Sequence, residues 1–267
     1  MNQPMVRSHD VAALQQRIEE QGYAVIRDVV SRQPLTEFAR TVSEAFEKAP
    51  KFKGGGMVTG HLNCFPGRSA RFAWDELNAA GVVEAVHAIR TGRPNGMRVT
   101  MNFNMPGSVA QHYHMDGAYL DDFLICNLAV VDTTLTNGAI DLLAGTNREF
   151  MPFWNYALTR QYKKSTRIEM QAGDVLLRKS HLWHRGMPNN SKVARPLLSF
   201  TFGEKSAPEG DPFEVNNGEF EFYTNWYSTS RAGRARERTF KMFPLSYSAY
   251  RFAGSLRNSR RGYASWD

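Results

Sequence analysis

The spacing of apolar residues predicts helices in the first third of the chain. Apolar side chains recur every three or four positions over 11–18, which predicts an amphipathic helix that ends at Gly22. A mostly apolar run over 23–30 follows, and it predicts a buried strand. Helical spacing returns after Ser31 and again over 79–91, so we expect two further helices there.

From Met97 onward, the pattern is that of short β-strands separated by turns. Residues 98–105 alternate between apolar and polar side chains, and residues 124–132 form a strongly apolar run. Further strands are predicted at 111–116, 140–143, 175–178, 181–191 and 195–202, with turn signals such as Asn137-Gly138 between them. This pattern predicts a mainly β fold with flanking helices around a jelly-roll core, a cupin-like double-stranded β-helix.

The chain of 267 residues, 42% of them hydrophobic, is long enough to bury one sizeable core. We expect a single domain over 1–267. It would consist of an N-terminal helical and strand part (1–96), the jelly-roll core (97–203) and a basic, aromatic C-terminal extension (204–267).

The formal net charge of +7 comes from the last part of that extension, residues 231–267. Residues 231–267 contain nine Lys/Arg and two Asp/Glu, so the rest of the chain has 24 of each sign (33 − 9 and 26 − 2) and is neutral. Three interpretations stay open: a helical cover with its basic face in water, a wall that attracts an anionic small substrate, or, least favoured, a nucleic-acid contact.

Cysteine usage and hydropathy suggest the compartment. Cys64 and Cys126 are too few for a disulfide framework and too isolated for a structural zinc site, which indicates a reducing environment. No apolar run approaches the roughly 18 residues that a membrane helix needs, and no signal region follows the N-terminus. We therefore expect a cytoplasmic protein without a membrane partner.

The stretch 111–117, Gln-His-Tyr-His-Met-Asp-Gly, carries the candidate chemistry. In an extended strand, side chains two apart share a face, so His114 and Asp116 can approach one small ion together. Two imidazoles and one carboxylate, with positions left open, form the facial triad of non-heme Fe(II) oxygenases. The third ligand must come from elsewhere in the chain.

Polar residues elsewhere are weaker candidates. The glycine-rich stretch 51–60 lacks the Lys-Ser/Thr ending of a P-loop. His61 and Asn63, which follow it, are expected in a loop or strand, and a position lining a pocket is the less favoured alternative. Asn127 interrupts an apolar strand and needs a partner if buried. It either faces solvent or a backbone group, or it faces the pocket.

Four separated stretches resemble the phytanoyl-CoA dioxygenase family of Fe(II)/2-oxoglutarate oxygenases. They are the strand and helix that begin at residue 20, the His114-Met-Asp116 pair, the segment 132–147, and the segment from Gly173-Asp174 through His184-Arg-Gly-Met-Pro-Asn to Arg195. Ala144 and Asn147 depart from the family pattern, which usually has proline and histidine there. The resemblance covers roughly 19–202.

The resemblance implies a site, residue by residue. His114, Asp116 and His184 would bind iron, and Arg195, eleven positions after His184, would bind the distal carboxylate of 2-oxoglutarate. The remaining amides, Asn127 or Asn102, would help to hold the other end of the co-substrate. His184 is preferred to His181 because the family-like glycine, asparagine and arginine follow it, and His112 is expected to support the site rather than bind the metal.

The implied activity is that of a dioxygenase with Fe(II) as cofactor and 2-oxoglutarate and O2 as co-substrates. It would hydroxylate an unactivated C–H bond of a small metabolite or natural-product intermediate, and an anionic one under the second interpretation of the basic extension. Halogenation is disfavoured because Asp116 occupies the position that chloride would need, whereas desaturation, epimerisation and ring closure stay open.

Two alternatives come from other classes. His112-x-His114-x-Asp116 resembles part of the motif of metallo-β-lactamase-like zinc hydrolases, although Gly117 stands where that motif continues with histidine. The second alternative is a non-catalytic binding protein of the same fold.

Overall fold

The computed structural model describes residues 10–49, 60–89, 96–204, 207–224 and 231–257. The α-helices are α1 (Val11–Gln21), α2 (Arg32–Lys48), α3 (Arg71–Ala79), α4 (Val82–Ile89), α5 (Phe153–Leu158), α6 (Arg231–Met242) and α7 (Pro244–Arg257). The strands are β1 (Tyr23–Ile26), β2 (His61–Phe65), β3 (Met97–Asn104), β4 (Leu124–Ala129), β5 (Ile140–Leu142), β6 (Thr166–Ile168), β7 (Val175–Lys179), β8 (His184–Arg185), β9 (Arg195–Phe202) and β10 (Glu221–Thr224). Short 3₁₀ helices lie at Gly67–Ala70, Gln161–Lys164 and Val215–Gly218.

Two antiparallel sheets form the core. The larger has the strand order β1-β7-β4-β9-β3-β2-β10, and the smaller has the order β6-β5-β8. The longest pairing joins β3 and β9 over eight residues, from Met97 opposite Phe202 to Asn104 opposite Arg195. Neighbours in the sheets are often distant in sequence, as a jelly roll requires.

Strand β4 is buried on both faces, which explains its continuous apolar sequence. Leu124, Cys126 and Leu128 belong to a hydrophobic cluster that also includes residues of α1 to α4, so the helices cover this face of the large sheet. Ala129 packs on the other side, in a second cluster shared with β5 and β6. Because both faces are buried, the polar alternation of a one-sided strand is absent.

The second cluster holds the two sheets together. It combines residues of the large sheet with residues of the small sheet, all buried: Val25, Leu176 and Leu197 from the former, Ile140, Leu142 and Ile168 from the latter. The predicted mainly β fold with flanking helices and a jelly-roll core is confirmed. Among the described residues, no helix combines the length and apolar character that crossing a bilayer requires.

Several predicted elements are shorter than the pattern suggested. The strand predicted at 23–30 ends at Ile26, because Asp28 adopts a φ of 53° and the amides of Val29 and Val30 donate to the Gly173 carbonyl. The helix predicted at 79–91 is α4 alone, separated from α3 at Gly81. The strand predicted at 111–116 reduces to one bridge residue, His114, and that at 181–191 reduces to β8.

One strand was missed, and some of the predictions fall on residues outside the described ranges. Strand β10, which extends the large sheet beyond β2, was not predicted. The glycine-rich stretch falls mostly outside the described residues, as do 1–9 and the last ten residues of the basic extension.

The turn before β7 provides a stability test. Gly173 has a φ of 96°, and a Cβ on it would lie 2.2 Å from the Val30 carbonyl oxygen, whereas a Cβ on Gly81, at a φ of 72°, would meet nothing within 4 Å. Both alanine variants carry backbone strain of about 1 kcal/mol. Only Gly173→Ala must also displace the backbone of Val30. We therefore expect Gly173→Ala to lower the free energy of unfolding by at least about 2 kcal/mol more than Gly81→Ala does. Urea denaturation of both variants measures this difference, and equal losses would contradict the assigned contact.

Candidate metal and carboxylate site

Alternation of side chains aims the candidate ligands into one cavity. Tyr113 and Met115 are buried in an aromatic cluster that also contains Trp183. Their neighbours His114, Asp116 and His184 therefore point the other way, toward the space between the sheets, where all three line the cavity.

A short antiparallel bridge fixes the two ligand segments relative to each other. The amide of His114 donates to the His184 carbonyl at 2.9 Å, and the amide of His184 donates back to the His114 carbonyl at 2.9 Å. The amide of Asp116 donates to the Ser180 carbonyl at 2.8 Å. The two imidazole rings are consequently 4.4 Å apart between centroids.

The three side chains offer ligand atoms that lie within 4.8 Å of one another. His114 Nε2 is 3.7 Å from Asp116 Oδ1, and His184 Nε2 is 3.4 Å from Asp116 Oδ2. In the part of the chain that the structure describes, this is the one group of three histidine, cysteine or acidic residues with such spacing. The donor set is that of a non-heme iron site.

Hydrogen bonds and burial prepare both imidazoles for metal binding. Nδ1 of His114 donates to the His112 carbonyl at 2.8 Å, and Nδ1 of His184 donates to the Leu182 carbonyl at 2.9 Å. Because a carbonyl only accepts, Nδ1 carries the proton and Nε2 presents its lone pair. Burial lowers the pKa of both rings below the usual imidazole value, so they are neutral at neutral pH.

Asp116 keeps its charge in the same environment. Burial alone would raise its pKa, but the charge and the hydrogen bond of the nearby Arg178 guanidinium outweigh burial and hold the pKa well below its usual value. Arg178 Nη2 donates to Asp116 Oδ2 at 2.6 Å. Two neutral imidazoles and one carboxylate fit a divalent iron ion.

Arg195 lies at another part of the same cavity, which has a volume of about 580 Å³. It is 1% exposed, and its Nη2 donates to the Gly138 carbonyl at 3.2 Å. Its Nε and Nη1 are buried and have no hydrogen-bond partner in the part of the chain that the structure describes. Burial lowers the pKa of Arg195 to about 10, so the group stays charged at neutral pH. A carboxylate is the partner that such a fork accepts best.

The predicted amides both face the cavity. Asn127 Nδ2 donates to Ser199 Oγ at 2.7 Å, and its Oδ1 accepts from Arg178 Nε at 2.9 Å, so the pocket-facing alternative describes this residue. Asn102 lines the cavity from β3. Asn63 also lines it, and His61 is fully buried beside it, with Nε2 3.0 Å from the Val109 carbonyl. Whether either Asn127 or Asn102 holds a co-substrate stays a prediction.

The two competing histidines lie outside the ligand group. His112 packs its ring against Tyr247, 4.0 Å between centroids, and burial lowers its pKa to about 4. His181 Nε2 is 3.1 Å from the Asn147 carbonyl, and its ring contacts Tyr119. The structure thus places His184, and not His181, beside His114 and Asp116.

The sequence interpretation missed Arg178. Its only signal is a charged residue after the apolar run Val-Leu-Leu, within strand β7. It also missed Arg251, whose guanidinium carbon lies 4.3 Å from the centre of the Phe153 ring and 5.9 Å from that of Trp183. Arg251 is thus a buried residue of the basic extension, whereas the cover interpretation expects the basic side chains to face water.

Comparisons with known proteins match this chain to one family. Residues 18–197 match the family model described as phytanoyl-CoA dioxygenase (PhyH). The iron/alpha-ketoglutarate-dependent dioxygenase ausU of Aspergillus calidoustus is 24% identical over 214 residues, which cover 72% of this chain and 70% of that protein.

Solved structures at lower identity share the fold. The epimerase SnoN, in complex with Fe3+, alpha ketoglutarate and nogalamycin RO, has a TM-score of 0.57 at 14% identity and covers 77% of this chain and 89% of its own. The non-heme alpha ketoglutarate dependent carbocyclase SnoK from nogalamycin biosynthesis has a TM-score of 0.57 at 15% identity, with 83% and 100% covered.

Replacing one histidine at a time tests the ligand assignment. His184→Ala removes a ligand, so we expect the affinity of the metal-free protein for Mn²⁺ to fall by more than about 100-fold. His181→Ala is the matched control, because it also loses a buried imidazole, three positions away, and should bind Mn²⁺ as the unsubstituted protein does. Calorimetric titration measures both affinities. Loss of binding in His181→Ala with retention in His184→Ala would reverse the assignment.

Proposed function

This chain belongs to the phytanoyl-CoA dioxygenase family, and we propose that it hydroxylates an unactivated C–H bond of a small metabolite or natural-product intermediate. It is an enzyme of the iron- and 2-oxoglutarate-dependent oxygenase family. The reaction outcome and the substrate are the proposed part, because structural neighbours include an epimerase and a carbocyclase.

One observation carries the proposal: a metal-binding triad and a buried arginine with unused donors share one cavity. His114, Asp116 and His184 supply three donors on one side of a small ion and leave its remaining positions accessible from the cavity. Arg195 offers Nε and Nη1 to an anion within that cavity. A dicarboxylate that chelates the metal at one end and binds the arginine at the other suits this arrangement.

The protein's own contribution is binding and orientation. The triad would hold iron, which together with 2-oxoglutarate and O2 supplies the oxidation of a C–H bond. Arg195 would bind the distal carboxylate and so fix the direction of the co-substrate. Buried walls such as Phe123, Ile125 and Leu197 would exclude water from the reacting centre and place the substrate against it.

An anionic substrate remains part of the proposal. A cavity of about 580 Å³ suits a small molecule, and Arg98 and Arg178 line it in addition to Arg195. Arg98 Nε donates to Glu204 at 2.8 Å, which offsets its charge. Arg178 is paired with Asp116 in the same way, but its Nη1 is buried with no hydrogen-bond partner among the described residues, so support for an anion comes from that donor.

The alternatives from other classes explain less of the site. A zinc hydrolase would use the triad but leaves the buried donors of Arg195 without a role. A non-catalytic binding protein leaves a complete set of prepared metal donors without a role.

An anaerobic absorption experiment tests the proposed function. Fe(II) and 2-oxoglutarate added to the protein should produce a metal-to-ligand charge-transfer band. Arg195→Met removes the buried charge but keeps similar volume, so we expect its half-saturating 2-oxoglutarate concentration to rise by at least about 30-fold. Arg167→Met is the control, since Arg167 donates to the Ala139 carbonyl outside the cavity lining.

The possible results separate the three functions. Formation of succinate with a candidate substrate supports the oxygenase. Turnover that zinc supports without 2-oxoglutarate would establish the hydrolase instead, and absence of the charge-transfer band in the unsubstituted protein would favour the binding protein.

A further inference from the structure

We propose that Arg178 is a second carboxylate-binding group of this cavity, placed beside the metal ligands, and that it also positions Asp116. The inference rests on the proposed function, because it assigns a ligand to the same metal site. It concerns a residue whose position in the sequence gave little indication of a role.

Arg178 is held in place by two bonds that use different parts of its guanidinium. Nη2 donates to Asp116 Oδ2 at 2.6 Å, and Nε donates to Asn127 Oδ1 at 2.9 Å. Asn127 is itself fixed by its bond to Ser199 Oγ at 2.7 Å. The planar fork therefore has one orientation, and the carboxylate oxygen that it contacts is restrained relative to the two imidazoles.

The third nitrogen has no partner among the described residues. Arg178 is 5% exposed, it lines the cavity, and its Nη1 is buried without a hydrogen bond. A buried donor of a charged group that makes no bond costs free energy, and a methionine or leucine in place of Arg178 would avoid that cost. The arrangement is explained if a ligand in the cavity accepts from Nη1.

The charge of the site points to an anion. Arg178 (+1) and Asp116 (−1) offset each other when no metal is bound. With a divalent ion on the triad, Arg178, Asp116 and the ion sum to +2 (1 − 1 + 2). An oxyanion that contacts both the metal and Nη1 would neutralise this excess.

Arg178 and Arg195 serve different ends of the cavity. Arg178 pairs with Ile125 on β4, and Ile125 pairs with Thr201 on β9. Arg195 is six residues from Thr201 on that strand, which separates the two positions by about 20 Å along the sheet. If Arg195 binds the distal carboxylate of 2-oxoglutarate, Arg178 is available for a carboxylate at the metal end.

That carboxylate has two possible sources, the 2-oxo acid itself or the substrate, and two probes distinguish them. The first is pyruvate, which has the 2-oxo acid end of 2-oxoglutarate but no distal carboxylate. The second is acetate, added after 2-oxoglutarate has been bound. Dissociation constants are measured anaerobically on the Fe(II) protein from the charge-transfer band of each 2-oxo acid, and from the shift of that band with acetate.

The variants are Arg178→Met, which removes the charge, and Arg178→Lys, which keeps the charge without the fork. If Arg178 binds the 2-oxo acid, Arg178→Met should weaken 2-oxoglutarate and pyruvate alike by about 10-fold or more, whereas Arg195→Met should weaken only 2-oxoglutarate. If it binds the substrate's carboxylate, both 2-oxo acids keep their affinity, and the acetate response of the unsubstituted protein disappears in Arg178→Met. Arg178→Lys should retain part of the affinity that Arg178→Met loses, because it keeps the positive charge.

Lys179→Met is the matched control, because Lys179 follows on the same strand and pairs with Asp122 at 3.0 Å outside the cavity lining. It should leave all three dissociation constants unchanged. If Arg178→Met loses its structure and no longer binds metal, the same dissociation constants are compared between Arg178→Lys and the unsubstituted protein. The proposal is overturned if the variants bind 2-oxoglutarate, pyruvate and acetate as the unsubstituted protein does. Absence of a band in the unsubstituted protein would instead reject the proposed function.

Discussion

The pair of backbone hydrogen bonds between His114 and His184 determines the geometry of the site. It joins segments 70 positions apart in the chain (184 − 114), neither of which forms a long strand there. The aromatic cluster around Trp183 supports the bridge on the side opposite the cavity, because Tyr113 and Met115, which alternate with the ligands, are buried in it. With the backbones fixed in this way, the imidazoles have little freedom to separate, and the fold itself holds the candidate metal donors close together.

Buried charge is distributed unevenly in the cavity. Asp116, Arg178, Asn127 and Ser199 form one connected chain of hydrogen bonds, in which the carboxylate and a guanidinium offset each other. Among the described residues, Arg195 has only the Gly138 carbonyl as a hydrogen-bond partner. Burying a charge without a counter-charge costs free energy. A residue with a purely structural role would not impose this cost, so the buried charge of Arg195 indicates a binding role. This imbalance connects the stability of the protein with its capacity to bind anions.

The region after residue 197 contributes to the same site, although the family match ends there. Glu204 and Tyr223 line the cavity, Tyr223 on a strand that extends the large sheet. Helix α7 places Tyr247 against His112, whose carbonyl accepts the hydrogen bond from His114. Part of the cavity wall and part of the support for the metal ligands are thus built from segments outside the family pattern.

The sequence alone was sufficient for the fold class and for the ligand candidates. Periodicity identified helices before strands, and the short distance between His114 and Asp116 made them a pair in any extended conformation. Choosing His184 over His181 required a resemblance, because both lie in the same short segment. The orientation of Asn127 and the position of Arg178 beside Asp116 were decided only by tertiary structure. Their partners, Ser199 and Asp116, are 72 and 62 residues away. Local spacing does not determine such contacts, which arise when the sheets close around the cavity.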